Sequence, residues 1–135
     1  MFNCSKFRVI EAVDADYPGF LRLIWNDHVR EFSDLSREDR MLCMDAVVLL
    51  EQFVLRVFKA DKANIATLGN VVPHLHWHVI PRFTDDKHFP APVWAVAKQG
   101  VSLSPRQQLV LDSKPKWMLA LRAELLAAFP GVANM

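Results

Sequence analysis

The stretch "GNVVPHLHWHVIPRF", residues 69–83, carries three of the chain's five histidines at alternate positions, His74, His76 and His78. On a helix, residues two apart point about 200° away from each other, whereas on a strand they share a face. Trp77, Val79 and Ile80 between and beyond them favour a strand. Pro73 stands where proline is tolerated, at a strand's entrance. The expected strand therefore runs over 74–83. It presents His74, His76, His78 and Arg82 on one face, spaced by ~6.6 Å, and turns Leu75, Trp77 and Val79 into the core. With five histidines in 135 residues, three successive same-face positions would all be histidine by chance in roughly one chain in a hundred.

Working outward, "ANIATLG" (63–69) reads as the preceding strand, closed by a turn at Gly69-Asn70. Nearer the N-terminus, "KFRVI" (6–10) and "FLRLIW" (20–25) are rich in aromatic and branched residues, with Tyr17-Pro18-Gly19 turning between them. Ser36 and Asp39 make a capping-box-like S-x-x-D ahead of a long periodic segment. There Leu42, Ala46, Leu49, Leu50, Phe53 and Val57 form one stripe of a helix over about 37–59. After the histidines comes a proline-rich stretch, "FPAPVWAVAKQG". A second helix over about 115–128 is expected to bury Trp117, Leu121, Leu125 and Ala128 and to stop at Pro130-Gly131. The total is an α+β fold, an antiparallel sheet of about five strands with two helices.

With 52% hydrophobic and 23% charged residues, the 135-residue chain has material for one folded core, and residues 1–135 are expected to form a single domain. The net charge of +1 and scattered Lys and Arg give no reason to expect a nucleic-acid polymer or an anionic membrane as partner, while a small anionic ligand is compatible. The longest apolar run, Ala46 to Leu50, is far short of a membrane span. The two cysteines, Cys4 and Cys43, make no disulfide framework. A reduced, cytoplasmic protein is expected.

Three imidazoles on one strand face admit two chemistries. An H-x-H pair can grip Zn²⁺, although the first and third rings stand ~13 Å apart at the backbone and His28, His88, Asp85 and Asp86 fall in no zinc spacing. Alternatively, a neutral imidazole is a good nucleophile toward phosphorus, forming a phosphoramidate that water later cleaves. The flanking rings then donate to the phosphate or leaving group and fix the tautomer of the attacking ring.

"HLHWHVI" (74–80) resembles the histidine-triad motif, H-φ-H-φ-H-φ-φ with φ apolar, at all seven positions. "DHVREFSDLS", "NIATLGN" and "HFPAPVW" extend the resemblance over about residues 17–95. They are similar to the diadenosine-tetraphosphate-hydrolase-type branch of the histidine-triad superfamily of nucleotide hydrolases and transferases. The resemblance implies His76 as the nucleophile attacking an α-phosphate, His78 as the residue that contacts the phosphate and aids the leaving group, and His74 as the orienting residue. Asn64 would contact the nucleotide, and Asn70 would sit in the loop whose amides approach phosphate. It implies a small-molecule nucleotide substrate, no required cofactor apart from Mg²⁺ carried on a polyphosphate, and a homodimer. Leu23, Ile24 and Trp25 fall on a strand one face of which could line an adenine or ribose pocket, with core packing as the default. The sequence departs from the family pattern twice: Val71 stands where a loop hydroxyl is common, and Phe20 where a supporting strand histidine is common. A nucleotide-binding protein with little turnover and a zinc-binding protein remain the alternatives.

Overall fold

The computed structural model describes residues 1–132. Five strands form one antiparallel sheet in the order β1-β2-β3-β5-β4: β1 (Phe2–Asn3), β2 (Phe7–Glu11), β3 (Leu21–Trp25), β4 (Lys62–Ala66) and β5 (His76–Arg82). The β2–β3 hairpin turns at Tyr17-Pro18-Gly19, where Gly19 takes a left-handed φ of +80°. β5 then inserts between β3 and β4, so the histidine strand is central and flanked on both sides.

The register decides which side chains share a face. Arg8 pairs with Ile24 and Ile24 with His76; Ile10 pairs with Arg22, Arg22 with His78, and His78 with Ala66. One face of the sheet thus carries Arg8, Arg22, Ile24, His76 and His78. The other face buries Phe7, Val9, Leu21, Leu23, Trp25 and Val79. Leu23 and Trp25 are therefore core residues, and only Ile24 of the three faces the histidines.

Helix α1 (Arg37–Val57) covers the core face through Cys43, Ala46, Val47, Leu50, Phe53 and Val54. Half of the expected capping box forms: the Ser36 hydroxyl accepts from the amide of Asp39 at 3.1 Å, while the Asp39 carboxylate pairs with Lys6 at 3.2 Å. The stripe is centred slightly away from the expected one, since Val57 is 37% exposed while Val54 is fully buried.

Two expectations are corrected. There are three helices, because α2 (Pro105–Asp112) precedes α3 (Lys114–Ala128). Ser104 and Gln107 make a reciprocal capping box with Pro105 in the first turn, which starts a helix eight residues long despite its weak amphipathicity. Within α3, Trp117, Leu121 and Leu125 are buried as expected, but Ala128 is exposed, and it is Phe129, just past the helix end, that closes the core against Phe7. Among the described residues no helix is long and apolar enough to cross a membrane, and Cys4 and Cys43 are free and buried.

Candidate functional site

The regular part of β5 begins at His76, two residues later than expected, because the amide of His74 is spent in a tight turn to the carbonyl of Val72 at 2.8 Å. His74 nevertheless joins the same face. One of its ring nitrogens, Nε2, lies 2.6 Å from the carbonyl oxygen of Trp25. A carbonyl only accepts, so Nε2 carries the proton and Nδ1 the lone pair. That lone pair meets Nδ1 of His28 at 2.9 Å, with the two rings stacked at a 27° interplanar angle. His28 is exposed, as a loop residue should be, yet it is the donor that completes the hydrogen bonding of His74.

The same reasoning fixes His76. Its Nδ1 lies 2.6 Å from the carbonyl oxygen of His74, so Nδ1–H donates and Nε2 is left with the free lone pair. The group that sets the tautomer is thus the main chain of His74, where a flanking ring was expected. His78 stands edge-on to His76 with centroids 5.1 Å apart. Its other neighbour is Phe20, also edge-on at 5.4 Å, so an aromatic ring packs at the position where the resemblance implies a supporting histidine. Burial first, then the charges of Arg22 and His76, hold the His78 imidazole down to about 4. The ring is therefore neutral at neutral pH.

Two clefts meet at this row of rings. One, of about 280 Å³, is lined by Arg8, Arg22, Ile24, Val72, His74 and His76. The other, of about 350 Å³, lies between Arg22, His76, His78 and the 68–72 loop, which includes Asn70. Arg22, Val72 and His76 border both clefts. Gly69 reaches its left-handed φ of +74° in this loop, as the Gly-Asn pair suggests. Val71 is 94% exposed, and the nearby Thr67 hydroxyl is tied to the carbonyl of His76 at 2.6 Å.

Asn64 is placed differently. It shares the sheet face, but its Oδ1 accepts from Arg82 Nη1 at 2.7 Å, and it lines a separate cleft with Lys62, Ile80 and the exposed Trp94. Arg82 itself is buried, bonded to Asp86, and forms no wall of the histidine clefts. His88 and Asp86 belong to the same buried network, where Tyr17 contacts both. Among the described residues no three His, Cys, Asp or Glu side chains converge as a metal site; the His28–His74 pair offers two nitrogens.

Sequence reasoning missed Arg8, Arg22 and His28. The two arginines were visible as the outward positions of "FRVI" and "LRLI", but only the strand register brings them beside His76.

The HIT domain profile matches residues 2–85. Over 60 residues the chain is 35% identical to the bis(5'-adenosyl)-triphosphatase of Saccharomyces cerevisiae, a match taking in 41% of this chain and only 29% of that enzyme's length. Among solved structures it is similar to a histidine triad protein from Bradyrhizobium japonicum, with 30% identity and a TM-score of 0.73 over 90% of this chain and 86% of the other. A histidine triad protein from Marinobacter aquaeolei VT8 is comparable, with 29% identity and a TM-score of 0.71 over 91% and 87% of the two chains. The alternating histidines, the sheet that presents them and these likenesses agree: the chain belongs to the HIT domain family.

Proposed function

We propose that the protein hydrolyses a nucleoside 5'-phosphate derivative, a dinucleoside polyphosphate such as diadenosine tetraphosphate or a nucleoside phosphoramidate, at its α-phosphate through a nucleotidyl-His76 intermediate. The family includes nucleotide hydrolases. The observation that carries the reading is the bond from His76 Nδ1 to the His74 carbonyl, which leaves Nε2 of His76 with a free lone pair at the junction of two clefts. Nε2 forms the bond to phosphorus as the leaving group departs with the P–O or P–N electron pair. His78, neutral at neutral pH, contacts the phosphate oxygens and helps the leaving group depart, which takes its proton from solvent. Water then attacks the same phosphorus, breaks the P–N bond and returns His76 to its neutral form. His74 and, through it, His28 hold the ring geometry. Asn70 supplies loop amides toward the phosphate, and Asn64 contacts the nucleotide from the β4 side.

No cofactor is required in this scheme; Mg²⁺ accompanies a polyphosphate substrate and modulates the rate. The whole chain works as one cytoplasmic HIT domain and pairs with a second copy. Met41, Val48 and Leu55 on the outer side of α1 and Ile65 on edge strand β4 are exposed apolar residues suited to that contact. Light scattering at micromolar concentration should then read roughly 31 kDa, twice the 15.5 kDa chain; a value of one chain would remove the dimer and leave the chemistry.

The chemistry is tested on His76 itself. Acid-free quenching during turnover of a nucleotide panel should reveal an acid-labile nucleotidyl mass on the peptide containing His76. His76→Ala should reduce turnover by several orders of magnitude, on the scale of about 10⁴-fold or more for loss of a nucleophile. An adduct on another residue, or normal turnover by His76→Ala, overturns the mechanism. A second reading, nucleotide binding with little turnover, is favoured by the loop, where Val71 has no hydroxyl and that of Thr67 is already engaged. Tight nucleotide binding without an adduct or product would select it.

A further inference from the structure

The cleft on the β2–β3 side of His76 has an unusual wall for a site that would hold only a neutral nucleoside. Across three strands the register sets Arg8, Ile24 and His76 in one row and Ile10, Arg22 and His78 in the next. Both arginines line the same cleft as the attacking ring, Arg22 on the strand next to His76 and Arg8 one strand further out, beyond Ile24. Neither arginine is engaged by any described acid: the seven ion pairs use other residues. No Asp or Glu lines either cleft. Nε of Arg22 is buried without a hydrogen-bond partner. A buried donor on a charged group ordinarily finds an acceptor, and leaving it unmet is costly.

We propose that this cleft is a second-phosphate subsite, so that the substrate carries at least one further phosphate besides the one attacked by His76. The inference rests on the hydrolase reading and chooses within it, favouring a polyphosphate over a phosphoramidate with a neutral leaving group. One phosphate offers several oxygens and up to two charges, enough for two guanidiniums, whereas a carboxylate is satisfied by a single bidentate arginine. Arg22 borders both clefts and reaches the phosphate chain beside the reacting phosphorus, while Arg8 holds its far end.

The test compares kcat/KM for diadenosine tetraphosphate and for adenosine 5'-phosphoramidate in the wild type, Arg8→Met, Arg22→Met and Arg22→Lys proteins, alongside calorimetric titration of each with inorganic pyrophosphate. The ratio of the two kcat/KM values should fall roughly ten- to hundredfold in each Met variant, the scale of a lost hydrogen bond to a charged group. Arg22→Lys should lie between, keeping the charge and losing the planar fork. Pyrophosphate affinity should weaken at least tenfold in both Met variants. Raising the salt concentration should lower the wild-type ratio without any substitution, which covers the case of a variant that does not fold. A ratio indifferent to both arginines and to salt, or pyrophosphate binding that does not depend on them, overturns the subsite. Should the wild type turn over neither nucleotide, the hydrolase reading falls and the pyrophosphate titration still decides the subsite.

Discussion

His78 shows how one side chain couples the site to stability. In the unfolded chain its ring takes a proton near 6.5, while burial, Arg22 and His76 hold the folded ring down to about 4. Between those values the unfolded state binds more protons, so the contribution of this group to stability is complete above 6.5 and is lost as pH falls toward 4. By pH 4.5 the loss is about 2 kcal/mol. Urea unfolding of wild type and His78→Gln at pH 7 and 4.5 should show a smaller acid loss in the variant by about that amount; equal losses would mean the ring is protonated in the folded state. Legibility differs among the site residues for a physical reason. Alternation announces His74, His76 and His78, because a period of two is local. The tautomer of His76 hangs on a main-chain carbonyl and the anchoring of His74 on His28, 46 residues away, and neither has a local pattern. Arg8 and Arg22 look like ordinary solvent-face positions until β5 is set beside β3.

At the level of elements, the β2–β3 turn packs against the helices more tightly than its sequence implies. Gly19 is buried with φ +80°, and a Cβ there would stand 2.5 Å from Phe58 Cε2 and 2.9 Å from Val110 Cγ1. Gly19→Ala therefore combines a left-handed backbone penalty with overpacking, a cost of roughly 2–4 kcal/mol. Gly100, at φ +73° with nothing within 4 Å of its Cβ position, isolates the first part, and Gly100→Ala should cost only about 1–2 kcal/mol. Denaturant midpoints of the two variants check this, and equal costs would mean the turn moves away from Phe58 and Val110 freely. The turn was readable as Tyr-Pro-Gly, but the neighbours that make its glycine indispensable lie 39 and 91 residues further on. The missed helix α2 had a usable signal in Ser104-Pro105-x-Gln107. Its weak apolar stripe hid it, since only Gln107 and Val110 are buried and one of them is polar. Long α1 was legible because apolar residues recur at helical spacing along it, and Ala46, Leu50 and Phe53 of the expected stripe are among its buried residues.

Across the whole molecule, one buried polar network joins parts of the chain that no local pattern connects. Asp86, fully buried, accepts from Arg82 at 2.8 and 3.1 Å and from the amides of Phe83, His88 and Phe89 at 3.1, 3.0 and 2.7 Å. It also accepts from the Tyr17 hydroxyl at 3.2 Å, while that hydroxyl lies 2.7 Å from His88 Nδ1. Arg82 reaches on to Asn64 Oδ1 and the carbonyl of Ala91. The network thus ties the β2–β3 turn, β4, the end of β5 and the proline-rich segment into one piece, and it holds Asn64 on the site face. Burial tends to raise the Asp86 carboxyl, but Arg82 and the three amides outweigh it and hold it down to about 2. The carboxylate is charged at every pH at which the protein would be studied. Removing that charge while leaving Arg82 buried at 2% exposure exposes the arginine's desolvation cost, so Asp86→Asn should destabilise by about 3–5 kcal/mol. The double variant Asp86→Asn/Arg82→Met should recover part of that loss, because the unpaired charge is gone. Denaturant unfolding of wild type, Asp86→Asn, Arg82→Met and the double variant completes the cycle, and hydrogen exchange should show residues 83–91 losing protection first in Asp86→Asn. A single-variant cost under about 1 kcal/mol, the range of an exposed pair, would mean that water replaces the carboxylate and that the network does not hold the site face together.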